Sequence, residues 1–540
     1  MIKLKKIEKT VLNCAVFLLS FCSISQGYNG IDVRSYELEL HVSDSSDAIR
    51  VHENIYFYRE DPKAFIAFDL VGQAINSDQE VITGMKVTEC KFQGKNVPFI
   101  QDQDKLFLKL PESQLTSIDD ATELLLELSY QGIPANGLII GSNMYGDRTF
   151  FADNWPNRAH HWFACNDHVS DKAGFDVTVH APEKYEVVAN GVLIDTRMEK
   201  GMKVHQFESG IPIPVKVMVV GIADLVMKTF DQINDVPVIG AVYPQNQTKA
   251  LYDLELSPDI LKFYIDLFGF YPFEKLVGVQ STTMFGGMEN AGCIFYDEKA
   301  FNGKRTSETL IAHEIVHQWF GNSASELDWT HLWLSEGFAT YLTDLYIEDH
   351  KGKGAFLSQL RNQRDAVIRF YTNNNLPLKD TVSTNTQVML NTNAYQKGAW
   401  ILHMLREQVG KELFWKAIAS YYDTYKFSNA TSKDFTHVFE KVTHTNLTQF
   451  YEEWICQSGH PILTYYIAQS GEKTKIKFNQ KQKENFHFSL EFLVLYEDNT
   501  KEIKTLVFED KETILEWATQ KKITSLKLDP NFKLLFEEKN

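Results

Sequence analysis

Thr309-Leu310-Ile311-Ala312-His313-Glu314-Ile315-Val316-His317-Gln318-Trp319-Phe320 is the stretch on which the reading of this chain turns. Its two histidines are four residues apart, so on a helix they share a face and both imidazoles can point at one ion. The flanking residues are too apolar for a surface helix, and histidines inside such a helix need partners. Gly321-Asn322 supplies a stop signal. After eighteen intervening residues His317 is followed by Glu336, inside Leu332-Trp333-Leu334-Ser335-Glu336-Gly337-Phe338-Ala339-Thr340-Tyr341-Leu342, which also reads as a buried helix. Ser335 is the expected N-cap, which puts Glu336 in the first turn. A carboxylate among so many apolar neighbours is costly unless it binds something. Two imidazole nitrogens and one carboxylate oxygen form the three-donor set of a hydrolytic zinc site, whose fourth position stays open to water. The expectation is one Zn2+ held by His313, His317 and Glu336, with Glu314 in the general-base position of an HExxH motif. The competing reading is an amphipathic helix that binds no metal, because a bare HExxH recurs by chance. Two separate buried polar sites that converge argue against it.

The rest of the chain sets bounds. With 540 residues and 44% hydrophobic content it can bury several cores, and its length suggests three or four domains. Charged residues at 23% and aromatics at 13% are globular values, not those of a disordered chain. Lys+Arg 54 against Asp+Glu 71 gives a net charge of −17. Such a chain is a poor partner for nucleic acid and favours cationic ligands, a protonated amino end among them.

Residues 1–26 read as a secretory signal. Lys3, Lys5, Lys6 and Lys9 form a basic start, residues 11–24 an apolar stretch, and Ser23 and Ser25 suit cleavage before Gln26. The stretch is shorter than the roughly 20 residues that span a bilayer, and no second one is long enough. The expected location is therefore secreted or periplasmic, with membrane anchoring as the alternative if the segment is not cleaved. Cys14 and Cys22 lie in that segment. Cys90, Cys165, Cys293 and Cys456 are widely spaced without a CxxC pair, so they read as core thiols, with one bridge left open in an oxidising compartment.

Residues 28–222 alternate apolar with polar, as at Tyr36, Leu38, Leu40 and Val42, and predict an antiparallel β domain that closes with a strand at Val217-Met218-Val219-Val220-Gly221. Over 223–457 the period becomes helical, as in residues 260–268 before the capping Gly269. From 458 to 540 alternation returns, with Phe486, Phe488, Leu490 and Phe492 on one face of a small β-sandwich. The fold class is α+β, in several domains.

Further motifs carry a resemblance. Gly286-Gly287-Met288-Glu289-Asn290 matches a GxMEN exopeptidase motif, and Tyr395-Gln396-Lys397-Gly398-Ala399 matches a segment with a catalytic tyrosine. Trp454, Gln457, Gly459 and Pro461 match an exit from the catalytic domain. Together with the HExxH spacing, these anchors make the chain resemble the gluzincin zinc aminopeptidases of the aminopeptidase N and leukotriene hydrolase type, over most of its length. The resemblance implies a thermolysin-like, mostly helical catalytic domain at 223–457 that acts on peptides with a free N-terminus. It implies that Glu289 binds the α-amino group, and that Gly286, Gly287, Met288 and Asn290 complete the substrate wall. It also implies that Tyr395 donates a hydrogen bond to the oxyanion. Residues 156–167 match more loosely a segment preceded by an amine-binding Gln. Asp153 and Asn154 fall at that place, and which of them takes the role stays open. His160, His161 and His168 lie close together without metal-ligand spacing. The chain ends soon after Leu528-Asp529-Pro530-Asn531, so the expectation is a cleft without the helical cover that many members carry. A zinc endopeptidase, a lipid epoxide hydrolase and a non-catalytic peptide binder are the other readings. The sequence is silent on oligomeric state.

Overall fold

In strand Ile31–Ser43 the side chains of Tyr36, Leu38, Leu40 and Val42 are buried, while Glu37, Glu39 and His41 point outward. This is the period-two burial of a sheet with one wet face. The computed structural model describes residues 30–61, 65–77, 81–111 and 121–539, so the signal reading of residues 1–26 falls outside the described residues. Strand Ile31–Ser43 pairs antiparallel with Ser46–Arg59 and parallel with Lys172–Pro182, inside a ten-stranded sheet. Its parallel register sets Tyr36 beside Phe175, Leu38 beside Val177 and Leu40 beside Val179, which places all six side chains on the core face. A four-stranded sheet, Leu138–Ser142, Arg148–Ala152, Val220–Ala223 and Glu186–Ala189, completes the N-terminal β region.

Two local expectations are corrected. The strand read over 217–221 begins only at Val220, because Val215–Val217 is a 3-10 turn. The Asn190 side chain takes the ladder's place there: its Nδ2 donates to the Val217 carbonyl at 2.9 Å and its Oδ1 accepts from the Val219 amide at 2.6 Å. The helical period also starts later than residue 223. Strands Val226–Ile233 and Val236–Val242 come first and join Leu276–Ser281, Cys293–Asp297 and Gly287–Met288 in a mixed five-stranded sheet. Gly287–Met288 is its edge strand.

Beyond that sheet the middle region is helical. Ser257–Phe268 stops at Gly269 in the left-handed conformation, as its sequence predicts. Glu308–Val316, Trp333–Lys351, Lys353–Asn373, Gly398–Val409, Lys411–Tyr425 and Ser432–Thr443 follow. Ser335 is not an N-cap, because its helix starts two residues earlier at Trp333. Its hydroxyl is turned instead to His317.

The C-terminal region is a sandwich of a four-stranded and a three-stranded sheet. Phe478 of one sheet packs on Phe492 and Phe508 of the other, at ring distances of 5.4 and 5.5 Å. The architecture is thus α+β: a β-rich N-terminal part, a helical middle and a C-terminal β part. Cys90, Cys165, Cys293 and Cys456 are free thiols, the first three buried. Among the described residues no helix is long and apolar enough to cross a membrane.

Candidate metal centre and active-site cleft

His313 lies in the last turn of Glu308–Val316, and His317 follows it with helical backbone angles, so the two imidazoles share a face. Glu336 enters from the first turn of Trp333–Lys351. The two Nε2 atoms are 3.1 Å apart, and each lies 3.4 Å from Glu336 Oε2. A tetrahedral ion with bonds of about 2.0–2.1 Å needs donor–donor edges of about 3.3–3.4 Å, so the triangle has the size such an ion requires. Glu336 Oε2 is buried and meets no hydrogen-bond geometry among the described residues, with only the two imidazole nitrogens beside it at 3.4 Å. The donor set fits a borderline divalent metal.

The second layer orients these ligands. His317 Nδ1 donates to the Phe320 carbonyl at 3.0 Å, with the Ser335 hydroxyl 3.2 Å away, so Nε2 faces the cluster. Burial disfavours a charge on His317, but the carboxylates around it, Glu336 foremost, overcome this and raise its pKa to about 10. Burial lowers the pKa of His313 and prevails over the pull of Glu336. Glu336 itself is held below the usual carboxylate range, because the two imidazoles outweigh its desolvation. Without a metal, then, the cluster keeps one proton, on His317.

Glu314 is buried against the backbone of Gly287: a β-carbon at Gly287 would lie 2.4 Å from Glu314 Oε1. Only glycine allows that approach. Burial pushes the Glu314 carboxyl well above its ordinary range, with His317 opposing and Glu289 and Glu336 adding to the rise. Glu289 is 5% exposed, and among the described residues no donor reaches its Oε1. Its main chain is pinned, since Gln318 Nε2 and Asn322 Nδ2 donate to its carbonyl at 2.8 and 2.6 Å. Donor atoms of Glu289, Glu314 and His317 lie within 4.8 Å of one another. Tyr395 sits on a π-helical turn, Asn393–Lys397, with its ring stacked on His313 at 6.0 Å and 18°. Burial first, and the neighbouring carboxylates after it, raise its pKa well above 10, so the phenol keeps its proton and can donate.

These groups line a cleft of about 240 Å³, together with Gly286, Gly287, Met288, Trp155, Phe285, Leu310 and Leu390. The remaining predicted residues lie behind it. Asn290 is fully buried and does not reach the wall. Asp153 pairs with Arg158 at 2.6 Å, and its other oxygen accepts from Thr283 Oγ1 at 3.1 Å and the Met284 amide at 3.2 Å. Asn154 is equally occupied: Nδ2 donates to the carbonyls of Val215 and Met218, and Oδ1 accepts from Trp162 Nε1. The next residue, Trp155, is the one that meets the cleft, which the sequence reading missed. His160 and His168 turn to Asp167 and Ser170 and do not converge on one point with His161.

A buried ion pair behind the site also went unread. Lys216 and Glu326 are both at most 1% exposed and 2.6 Å apart. Lys172 Nζ donates to the carbonyls of Asn322 and Ser323, fastening the turn that follows His317. No local pattern marks either lysine, because its partner comes from more than a hundred residues away.

The family model described as Peptidase M1 N-terminal domain matches residues 33–215, and that described as Peptidase family M1 domain matches residues 252–454. The chain is 27% identical over 424 residues to probable aminopeptidase 2 of Sulfurisphaera tokodaii, covering 75% of this chain and 53% of that protein. It is 26% identical over 440 residues to leucyl aminopeptidase of Saccharolobus solfataricus, covering 75% and 52%. The chain therefore spans about half the length of these relatives. Its fold resembles the crystal structure of Legionella pneumophila aminopeptidase A in complex with aspartic acid, with a TM-score of 0.79 at 16% identity, over 95% of this chain and 60% of that one. Both domain models match in order along one chain, with the helical one spanning the His313, His317 and Glu336 cluster, and the chain belongs to peptidase family M1.

Proposed function

We propose that this chain is a zinc aminopeptidase that removes N-terminal residues from peptides. The observation that carries the reading is Glu289: a buried carboxylate oxygen without a donor, beside a three-donor metal cluster, on the wall of a cleft. A free α-ammonium would neutralise it, and an internal peptide bond offers none. The names of the relatives point the same way.

Zn2+ held by His313, His317 and Glu336 would lower the pKa of water toward about 7 and polarise the scissile carbonyl. The protein's own groups do the rest. Glu289 anchors the amino end and sets the cut one residue in. Edge strand Gly287–Met288 offers backbone hydrogen bonds to an extended peptide. Glu314, as the carboxylate, takes the proton of the attacking water and passes it to the leaving amine, a role that suits a buried group whose raised pKa makes it a stronger base than an exposed carboxylate. Tyr395 donates its phenol hydrogen to the developing oxyanion. Trp155, Phe285, Met288, Leu310 and Leu390 favour an apolar first side chain. The signal reading of residues 1–26 supports a secreted or periplasmic location, or a membrane-anchored one if the segment is not cleaved.

Paired free and N-acetylated aminoacyl substrates test the reading, with and without chelator. Turnover is expected for the free amine alone, and chelation should abolish it. Equal cleavage of both substrates would remove the role given to Glu289.

A further inference from the structure

We propose that Glu39, His41 and His180 form a second metal site, for a divalent ion of the zinc and copper class, on the outer face of the N-terminal sheet. The site is independent of the cleft and of the activity proposed for it. Glu39 and His41 are two residues apart on strand Ile31–Ser43 and so share a face. His180 is the register partner of His41 on the adjacent parallel strand Lys172–Pro182. The two imidazoles lie face to face, 4.1 Å between ring centres and 19° between planes. Both aim Nε2 at one atom: Glu39 Oε1 is 3.1 Å from His41 Nε2 and 3.0 Å from His180 Nε2.

All three donor atoms lie within 4.8 Å of one another. The carboxylate–imidazole distances are hydrogen-bond lengths, a few tenths of an ångström short of the donor edges of about 3.3–3.4 Å around a tetrahedral ion, so a small opening of the side chains admits one. Two stacked imidazoles resist a double positive charge, whereas two neutral imidazoles and one carboxylate form an ordinary ligand set for a dication. Two nitrogens out of three select a late transition ion over calcium or magnesium, which prefer oxygen. His180 is 7% exposed, while the side chains of His41 and Glu39 are 32% and 44% exposed, so the site is anchored on one side and open to water on the other. Glu37, Asp176 and Glu208 line a groove of about 330 Å³ that also includes Glu39, and their charge concentrates cations there. Of the cations on this face, Arg50 is the register partner of His41 on strand Ser46–Arg59, and Arg197 is engaged by Asp195 and Glu199. An ion bound here ties the first described strand to its parallel neighbour and stabilises that register by mass action.

The test counts metal. Wild-type, His41→Ala, Glu39→Gln and His180→Gln proteins are loaded with Zn2+, dialysed against metal-free buffer and measured by mass spectrometry. Wild type should hold one equivalent more than each variant, while peptidase turnover stays unchanged. Because the readout is a difference, it holds whatever the His313, His317 and Glu336 cluster retains. Cu2+-loaded wild type should show nitrogen hyperfine splitting in its electron paramagnetic resonance spectrum that weakens in His41→Ala. Should the buried His180→Gln variant misfold, the more exposed His41 and Glu39 carry the test. Equal zinc in wild type and folded variants would overturn the proposal, as would equally tight retention of Ca2+ or Mg2+.

Discussion

Gly337 and Gly398 meet backbone to backbone: a β-carbon on Gly337 would lie 2.8 Å from the α-carbon of Gly398, and a β-carbon on Gly398 would lie 2.8 Å from that of Gly337. The contact joins helix Trp333–Lys351, which carries Glu336, to helix Gly398–Val409, which continues from the turn that carries Tyr395. The distance from ligand to oxyanion donor is thus set by two residues without side chains. Gly398→Ala should force the helices apart, at about 1–3 kcal/mol of stability. Turnover should fall about tenfold or more, since a shift near 1 Å can cost 10²-fold. Melting temperature and kcat measure both effects, and wild-type values for the variant would mean that the contact absorbs a methyl group freely.

Glu314→Gln keeps the shape of the side chain against Gly287 and removes its proton chemistry. Turnover should drop by about 10²–10⁴ while metal content stays unchanged. A variant that turns over like wild type would take the general-base role away from Glu314.

Tyr395→Phe should lower kcat by about 10²–10³ with little change in KM, because the hydrogen bond it removes matters in the transition state. Steady-state kinetics separate the two constants. An effect confined to KM would make Tyr395 a substrate-binding residue.

Metal affinity should rise with pH. The metal-free cluster holds a proton on His317, whose pKa is raised to about 10 because Glu336 and the other carboxylates outweigh its burial, while burial lowers the pKa of His313. A dication must displace that proton. Below about pH 10 the apparent binding constant should therefore gain about one order of magnitude per pH unit. Competition against a chelator of known affinity between pH 6 and 8 reads the slope, and a flat line would mean that His317 is already neutral.

Asp153→Ala should destabilise the protein by about 3–5 kcal/mol, because it strands the buried guanidinium of Arg158. The same change frees Thr283 and the Met284 amide, which precede the Gly287–Met288 strand, so KM should rise as well. Denaturation midpoints and KM are measured together. A rise in KM without loss of stability would place Asp153 in contact with substrate.

The centre of the site was legible because its rules are local. Four residues bring His313 and His317 onto one helical face, and Glu336 is conspicuous as an acid in an apolar run, as any single chain would reveal. The β-rich ends were legible from period-two burial, as at Tyr36, Leu38 and Leu40. Helix starts were less so. Ser335 has the chemistry of a cap, yet the helix begins at Trp333 and the hydroxyl serves His317, a neighbour supplied by the fold.

What remained hidden depends on which distant segments meet. Gly287 is required by the Glu314 carboxylate pressed against it. Asp153 and Asn154 are drawn back by Arg158, Thr283, Trp162 and backbone carbonyls, which leaves Trp155 on the cleft wall. His41 and His180 become neighbours only through the parallel pairing of two strands far apart in the chain. Spacing along a helix or strand follows from backbone geometry and can be read residue by residue. Contacts between remote segments arise from the packing of whole elements, so only the assembled tertiary structure settles them.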